Sequence, residues 1–160
     1  MSTWTIIVIV LGTFFAMEFV AWATHKYVMH GFLWSLHSDH HKKDHYGLLE
    51  RNDTFFLIFA VPSMLLFIIG NLKGLHTPYL WIGLGILVYG IAYFVVHEVF
   101  IHQRIKWLKR TDNAYFLGIR KAHKVHHKRL GKEDGECFGM LWVPVKYFRE
   151  ARKALANRNA

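Results

Sequence analysis

The sequence predicts an all-α integral membrane protein with about three transmembrane helices, and three observations support this fold class. Hydrophobic residues make up 53% of the 160 residues and aromatic residues 16%, which is more apolar than an ordinary soluble domain. The net charge is nevertheless +9, so apolar and basic residues must occupy different parts of the chain. The apolar residues concentrate in three runs, at residues 3–24, 54–70 and 78–101. The length fits a single domain covering residues 1–160.

The first run, TWTIIVIVLGTFFAMEFVAWAT, is long enough to cross a membrane. Its 22 residues extend about 33 Å as a helix, and a bilayer core is about 30 Å thick. A cleaved signal peptide does not fit, because no basic segment precedes the run, the run is too long, and Glu18 interrupts it. We expect a transmembrane helix here.

The second and third runs complete a three-span arrangement. Run 54–70 is short, and we expect Pro62 to kink it. Asn52 and Asp53 precede it and are typical helix N-cap residues. Three apolar runs would leave too little polar chain to cover them in a soluble protein. Small residues in the first and third runs should let the spans pack closely: Gly12, Ala16, Gly83, Gly85, Gly90 and Ala92.

The basic residues predict the orientation of these spans. Lys73 is the only Lys or Arg between the second and third runs, and none precedes the first run. The other nineteen of the 20 Lys and Arg residues lie in the 25–53 connection or from Arg104 onward. Cytoplasmic segments of membrane proteins carry the excess of basic residues. We therefore expect the 25–53 connection and the C-terminal tail in the cytoplasm, with Trp4 and Trp81 at the opposite interface.

Ten of the twelve histidines form two motifs, each present twice. All ten follow or end a predicted span, so they should meet at one membrane surface, whereas His76 lies in the connection on the other side. The motif H-x4-H occurs at His25/His30 and His97/His102, and the motif H-x2-H-H occurs at His37/His40/His41 and His123/His126/His127.

This repeated pattern predicts a site for two metal ions. On a helix, residues i, i+3 and i+4 share one face, so each H-x2-H-H motif presents three imidazoles together. Residues i and i+5 point about 140° apart on an α-helix, which favours either two ions or a helix that ends between the two histidines. Ten imidazoles suit two ions with about five ligands each. Imidazole binds Zn, Cu, Fe and Ni, and the single cysteine, Cys137, leaves no thiolate cluster or haem-attachment motif.

Several carboxylates could hydrogen-bond the outer nitrogens of these imidazoles. Each could equally serve as a helix cap or lie in a solvated loop. His45 is an additional histidine outside the repeated pattern and could give similar support. The candidate carboxylates are Glu18, Asp39, Asp44, Asp53 and Glu98.

Other uses of the histidines fit less well. A histidine-rich tract can bind metal loosely or act as a pH switch, but neither use requires two matched spacings on one membrane face. Soluble zinc-protease chemistry fits even less well, because the motif H-E-x-x-H is absent.

The motifs resemble those of the fatty acid hydroxylase superfamily of membrane non-haem di-iron enzymes, and more closely the bacterial β-carotene 3-hydroxylase family. The similar segments are HKYVMHGFLWSLHSDHH, HEVFIHQR and KAHKVHH, together with ERND and GKEDGECFGMLWVP. The resemblance covers residues 18–144, almost the whole chain. Glu98 stands where that family often has Asp, so a carboxylate is retained.

The resemblance implies an O2-dependent non-haem di-iron monooxygenase of carotenoid biosynthesis. Its activity would be hydroxylation at C3 of β-ionone rings, from β-carotene through β-cryptoxanthin to zeaxanthin. It also implies two Fe ions on the ten paired histidines, O2 as co-substrate, and electrons from a separate carrier such as ferredoxin. No catalytic residue is needed beyond the metal ligands. The expected location is the lipid bilayer of the bacterial inner membrane, without a nucleic-acid partner.

Two alternatives to a carotenoid hydroxylase are considered. One is a fatty acyl or sterol hydroxylase or desaturase, and the other is a membrane metal-binding or transport protein without catalysis. Transporters place polar ligands near the midplane of several spans, whereas these histidines cluster at one surface, which favours the oxidase. A basic cluster could dock an acidic electron carrier or contact anionic lipid headgroups: Arg120, Lys121, Lys124, Lys128, Arg129 and Lys132.

Overall fold

The computed structural model describes residues 1–42, 47 and 49–158, and every regular element among them is helical. Two π-helical segments, Thr24–Phe32 and Phe94–Ile101, continue α1 and α4, and a 3-10 helix, Arg51–Phe55, leads into α3. The predicted all-α fold is confirmed for this part of the chain. In chain order, the α-helices are α1 (Thr3–Ala23), α2 (Trp34–His41), α3 (Phe56–Lys73), α4 (Tyr79–Tyr93), α5 (Ala114–His127) and α6 (Val145–Arg158).

Three continuous helical stretches are long and apolar enough to cross a membrane: Thr3–Phe32, Arg51–Lys73 and Tyr79–Ile101. Even the two 23-residue stretches extend about 35 Å, more than the bilayer core. The three predicted runs are therefore confirmed as candidate spans. The first stretch continues past the predicted end at residue 24 because helical hydrogen bonding goes on after the apolar residues stop. α3 also continues through Pro62 to Lys73.

α4 is the central span and packs against both α1 and α3. A Cβ atom on Gly85 would lie 2.6 Å from Cβ of Thr13 in α1, and one on Gly83 would lie 3.1 Å from the carbonyl oxygen of Ser63 in α3. These two glycines therefore permit close helix contact, as predicted. The prediction is wrong for Gly12 and Gly90, where an added Cβ would meet nothing within 4 Å.

The remaining predicted small residues contribute less to span packing. Ala16 is exposed on α1, and Ala92 is half-buried on α4. α1 turns a different face toward its neighbours, with Met17 and Ala21 in an apolar cluster that includes Ile86 and Tyr89 of α4. Apolar side chains thus fill this contact, and Gly85 lets the two backbones approach closely.

α2, α5 and α6 form a helical cap at one end of the spans. α5 packs against α6 and against the π-helical segment that ends the third span. α5 begins at the N-cap Asn113, whose side-chain oxygen accepts a hydrogen bond from the backbone N–H of Tyr115 at 2.9 Å. One buried apolar cluster ties the cap to the third span: Phe100, Ile101, Ile119, Ala122, Val143 and Tyr147.

Candidate metal centre

All ten histidines of the two repeated motifs converge between the spans and the cap. Nine of them form two groups, in each of which one nitrogen per ring lies within 4.8 Å of the others. The ring of His127 lies 4.5 Å from those of His41 and His123 and so contacts both groups. The first cluster is His25, His30, His37, His41 and His126, and the second cluster is His40, His97, His102 and His123.

The π-helical segments explain how each H-x4-H pair faces one cluster. A π-helix forms i→i+5 hydrogen bonds, and it is rare and concentrated at functional sites. In the third span the backbone N–H of His102 donates to the carbonyl oxygen of His97 at 2.9 Å, so these two residues lie one above the other. The expectation that i and i+5 point apart, drawn from α-helical geometry, was therefore wrong. His25 and His30 lie in the matching π-helical segment of the first span.

The H-x2-H-H motifs lie on α2 and α5 and divide between the clusters. His37 and His41 of α2 enter the first cluster, while His40 enters the second. In α5, His126 enters the first cluster and His123 the second. Each helix therefore supplies ligand candidates to both clusters, which keeps the two clusters adjacent.

Backbone carbonyl groups fix the orientation of four rings in the first cluster. The Nδ1–H of His25 donates to the carbonyl oxygen of Phe138 at 2.9 Å. His30, His41 and His126 donate in the same way to the carbonyl oxygens of Lys132, Arg129 and Glu136, at 3.1, 2.9 and 2.9 Å. Each of these bonds turns Nε2 toward the interior of the cluster.

Side chains orient three further rings. The Nδ1–H of His37 donates to Oδ1 of Asn52, that of His40 to Oε2 of Glu50, and that of His97 to Oε1 of Glu98, each at 2.6 Å. Asn52 is thus a histidine partner and not the N-cap that was predicted. The N-cap of the 3-10 helix is Glu50, in a capping box with Asp53. Sequence reasoning missed Glu50 as a partner, although the segment ERND marked the region.

The spacing of the inward-facing Nε2 atoms within each cluster fits ligands of one metal ion. Two nitrogens bound at right angles to one ion, each at about 2.1 Å, lie about 3.0 Å apart. His40 and His127 each have a buried Nε2 with no hydrogen-bond partner among the described residues, and such a nitrogen is suited to bind a metal ion. The observed Nε2–Nε2 distances are 3.1 Å for His25–His37, 3.2 Å for His37–His41, 3.2 Å for His30–His126 and 2.8 Å for His102–His123.

Most of the predicted carboxylate partners bind elsewhere. Glu98 accepts a hydrogen bond from the adjacent His97, whereas its spacing in the sequence had suggested His102 as the partner. Asp39 accepts hydrogen bonds from the backbone N–H and side chain of Arg51, at 2.6 and 3.4 Å. The carboxylate of Asp39 is therefore occupied by an arginine. Asp44 and His45 lie outside the described residues.

Glu18 is also occupied away from the histidines. Its carboxylate accepts a hydrogen bond from the Tyr89 hydroxyl at 2.8 Å. It accepts three more from the backbone N–H groups of Met140, Leu141 and Trp142, at 3.0, 2.8 and 3.0 Å. Glu18 was predicted to support His25 because the two residues are near each other along the first span. The backbone N–H groups of residues 140–142 bind its carboxylate instead.

Arg104 joins the carboxylates beside the second cluster. Its guanidinium contacts Glu50 at 2.7 Å, Glu98 at 2.8 Å and Asp53 at 2.9 Å. Burial raises the pKa of Glu50, and the contact with Arg104 opposes that shift. Asp53 was predicted to support a histidine directly. Instead it contacts Arg104 and forms the capping box with Glu50, so it is one contact further from the histidines.

Burial, reinforced by neighbouring imidazoles, favours the neutral form of four histidines on α2 and α5. It lowers the pKa of His37 and of His127 to about 2, that of His126 to about 3 and that of His41 to about 4. A neutral imidazole has the free lone pair that metal binding requires.

His76 lies apart from the two clusters. It is exposed in the loop after α3, and the 18 residues of α3 make that helix about 27 Å long.

A largely apolar cavity of about 450 Å³ connects the spans to the histidines. Ala21 of α1, Phe59 of α3 and Gly90 of α4 line it, and His25, His97 and His123 reach it from both clusters. Two further lining residues, Phe56 and Phe94, are 65% and 50% exposed. Both belong to candidate spans, so the cavity opens on the flank that faces lipid.

The chain is similar to known hydroxylases. The fatty acid hydroxylase family matches residues 10–145. A β-carotene hydroxylase of Paracoccus sp. (strain PC1) is 37% identical over 85% of this chain and 83% of its own length. One from Pantoea ananas is 39% identical over 85% and 76% of the two chains. The chloroplastic β-carotene hydroxylase 1 of Capsicum annuum is 37% identical over 83% of this chain and 42% of its own. No solved structure matches significantly.

The buried neutral histidines predict an acid-sensitive fold. The unfolded chain takes up protons on imidazoles with a pKa near 6.5, whereas these native imidazoles do not until about pH 4 or below. Stability should therefore be full above pH 6.5 and fall as the pH drops below it, by about 1.4 kcal/mol per such histidine at pH 5.5. Thermal unfolding in detergent at pH 7.5 and 5.5 measures this. His76→Ala should show the same loss, and equal unfolding temperatures at both pH values would contradict the prediction.

Proposed function

The chain belongs to the fatty acid hydroxylase family, and on this premise we propose that it is a carotenoid hydroxylase acting at C3 of β-ionone rings. β-Carotene is converted to β-cryptoxanthin and then to zeaxanthin. The substrate class follows from the bacterial and plant relatives, which are named as β-carotene hydroxylases. The enzyme class follows from the same relatives and from the family.

The cavity is the observation that carries this proposal. A carotenoid is wholly apolar and dissolves in the bilayer, so its ring needs an entrance on the lipid-facing flank. Phe56 and Phe94 provide that entrance, and the inner end meets His25, His97 and His123. An apolar enclosure with a few polar groups at one end is typical of a small-molecule site. The ring thus reaches both clusters without crossing water.

Two Fe ions are the proposed metal content. The first cluster would hold one ion and the second cluster the other, with His127 placed to serve either. Reduced iron with O2 supplies the strong oxidant that side chains cannot supply and that an unactivated C–H bond requires. Burial of the histidines and the aromatic lining excludes water from the ring and from the metals.

The residues of the chain position the substrate and need not transfer protons to it. Phe55, Phe59 and Tyr93 present flat apolar faces to the ring, and Gly90 leaves space above α4. Arg104 and Asp53 also line the cavity, but Arg104 is held by carboxylates. The orientation of the ring therefore depends on packing, and C3 is selected by the depth to which the ring enters.

Expression in a bacterium that accumulates β-carotene tests the function. Pigment extraction and chromatography should reveal mono- and dihydroxylated carotenoids. His127→Ala should nearly abolish them, because the methyl group cannot bind metal, whereas His76→Ala should retain nearly full product per membrane-inserted protein. Hydroxylated fatty acids or sterols with unchanged β-carotene would instead support the related acyl or sterol activity.

Two matched glycine variants separate the cavity from the fold. Gly90→Leu places a side chain in the cavity and should lower product by about tenfold or more, because small displacements of a substrate are costly. Gly12→Leu also enters open space but lies outside the cavity lining, so it should leave product unchanged. Equal product from both variants would show that the ring binds elsewhere.

The metal clusters and the C-terminus face the cytoplasm of the bacterial inner membrane. The support for this orientation is the asymmetry of basic residues, with nineteen on the side of the clusters and Lys73 on the other. A reporter enzyme that is active only in the periplasm, fused after the last residue, should be inactive. The same reporter inserted in the short connection after Lys73 should be active, and the reverse pattern would overturn this orientation.

Electrons come from an acidic carrier such as ferredoxin that docks beside the first cluster. Five of the six predicted cations are exposed: Lys121, Lys124, Lys128, Arg129 and Lys132. Arg120 and Lys121 are engaged with other groups. Arg120 donates to the carbonyl oxygens of Phe100, Leu108 and Lys109, and Lys121 pairs with Glu150 at 2.6 Å. The carbonyl groups of Arg129 and Lys132 bind His41 and His30, so this turn links the surface to the first cluster.

Carrier docking predicts a salt-dependent rate of reduction. Exposed charges are screened beyond about 8 Å at physiological ionic strength, so stopped-flow reduction by ferredoxin should slow as salt is added. Lys124→Gln and Lys128→Gln should slow it at low salt, and Lys153→Gln, exposed on α6, should not. A rate insensitive to salt and to these variants would assign the cations to lipid headgroups.

A further inference from the structure

We propose that the two metal positions are electronically inequivalent, with Glu50 and Glu98 tuning the second cluster to hold the more oxidised iron. The inference rests on the proposed function, because it requires two irons. It concerns the partners of the histidines and not the histidines themselves. Glu50 and Glu98 act through the histidines that they contact, so both are positioning and tuning residues, and Glu98 also lines the cavity.

The partners of the first cluster are neutral. The Nδ1–H groups of its five histidines donate to four backbone carbonyl oxygens and to the side-chain amide oxygen of Asn52. A neutral acceptor fixes the ring and its tautomer, but it adds no formal charge to the ligand. An ion at this position is therefore surrounded by neutral imidazoles that have neutral partners.

The second cluster has carboxylate partners at the same position of the ring. His40 donates to Glu50 and His97 to Glu98, both at 2.6 Å, and the side chains of these two histidines are only 2% and 3% exposed. A carboxylate that accepts the Nδ1–H increases the basicity of Nε2. Burial strengthens this effect because charges interact more strongly away from water. The second cluster thus donates more electron density to its ion.

Arg104 keeps both carboxylates in place. One guanidinium contacts Glu50, Glu98 and also Asp53, so three carboxylates share this cation. The contact fixes the positions of Glu50 and Glu98 beside the rings. Arg104 thereby also links the 3-10 helix and its N-cap to the third span.

The consequence concerns the order of reduction. An ion with more basic ligands is stabilised in its higher oxidation state, so its reduction potential is lower. With two irons bound, the first cluster would therefore accept the first electron, and the second cluster would keep the more oxidised ion. The first cluster is also the one whose histidines contact the basic turn at Arg129 and Lys132. The carrier therefore delivers its electron to the position that accepts it more readily.

Redox titration of the purified protein loaded with iron-57 tests this inference, with Mössbauer spectra taken after addition of one and two electrons from dithionite. The half-reduced protein should give separate ferrous and ferric signals of equal area. Glu50→Gln and Glu98→Gln keep a hydrogen-bond acceptor but remove the charge. Each variant should raise only the lower of the two reduction potentials. The expected change is a shift of about tenfold or more in the one-electron equilibrium, the scale typical for residues that hydrogen-bond metal ligands.

A reciprocal variant and a control complete the design. Asn52→Asp places a carboxylate on His37 and should lower the higher potential. Asp39→Asn changes a buried carboxylate that binds Arg51 and should alter neither. Unchanged potentials in Glu50→Gln, Glu98→Gln and Asn52→Asp variants that retain two irons would overturn the inference while the proposed function stands. Purified active protein with fewer than two irons would overturn the two-iron proposal and this inference together.

Discussion

The arrangement of this protein depends on the hydrogen bonds that orient its buried imidazoles. Seven of the ten paired histidines donate Nδ1–H to an acceptor among the described residues, so that Nε2 can face inward. An imidazole without such a partner would lose the bond it makes in water, and its ring could turn. Helices cannot supply these acceptors from their own interior, because their carbonyl groups are already hydrogen-bonded. The acceptors therefore come from irregular backbone around residues 129–138 and from the side chains of Glu50, Asn52 and Glu98.

Glu18 explains how the irregular segment is held against the spans. A carboxylate within a candidate span is costly unless it is fully paired, and here it accepts four hydrogen bonds, three of them from successive backbone N–H groups. These bonds anchor residues 140–142, immediately after Phe138 and Glu136, whose carbonyl groups orient His25 and His126. The buried charge thus acts on the first cluster through the backbone, without contacting any histidine.

The spans and the histidine pattern could be predicted because each has a local signal, either length and hydropathy or fixed spacing. The π-helical segments could not, because the expectation for i and i+5 assumed α-helical geometry. In a π-helix, with i→i+5 hydrogen bonds, the same H-x4-H spacing places both histidines of a pair on one face, and so in one cluster. The carbonyl acceptors left no signal, since any residue offers the same carbonyl oxygen. The roles assigned to Glu18 and Asp39 failed because proximity along the sequence does not reveal which N–H groups the fold brings nearer.

The chain repeats one unit, a span that ends in a π-helical segment and an H-x2-H-H helix, but it does not repeat the surroundings. One residue separates the first π-helical segment from α2, whereas twelve residues separate the second from α5. Arg104 lies in that longer connection, where it can reach the carboxylates, and the first unit has no counterpart among its described residues. The ligand sets are therefore nearly symmetric while their partners are not. A repeated sequence pattern thus gives two similar clusters, and the connections that differ in length and charge make them chemically distinct.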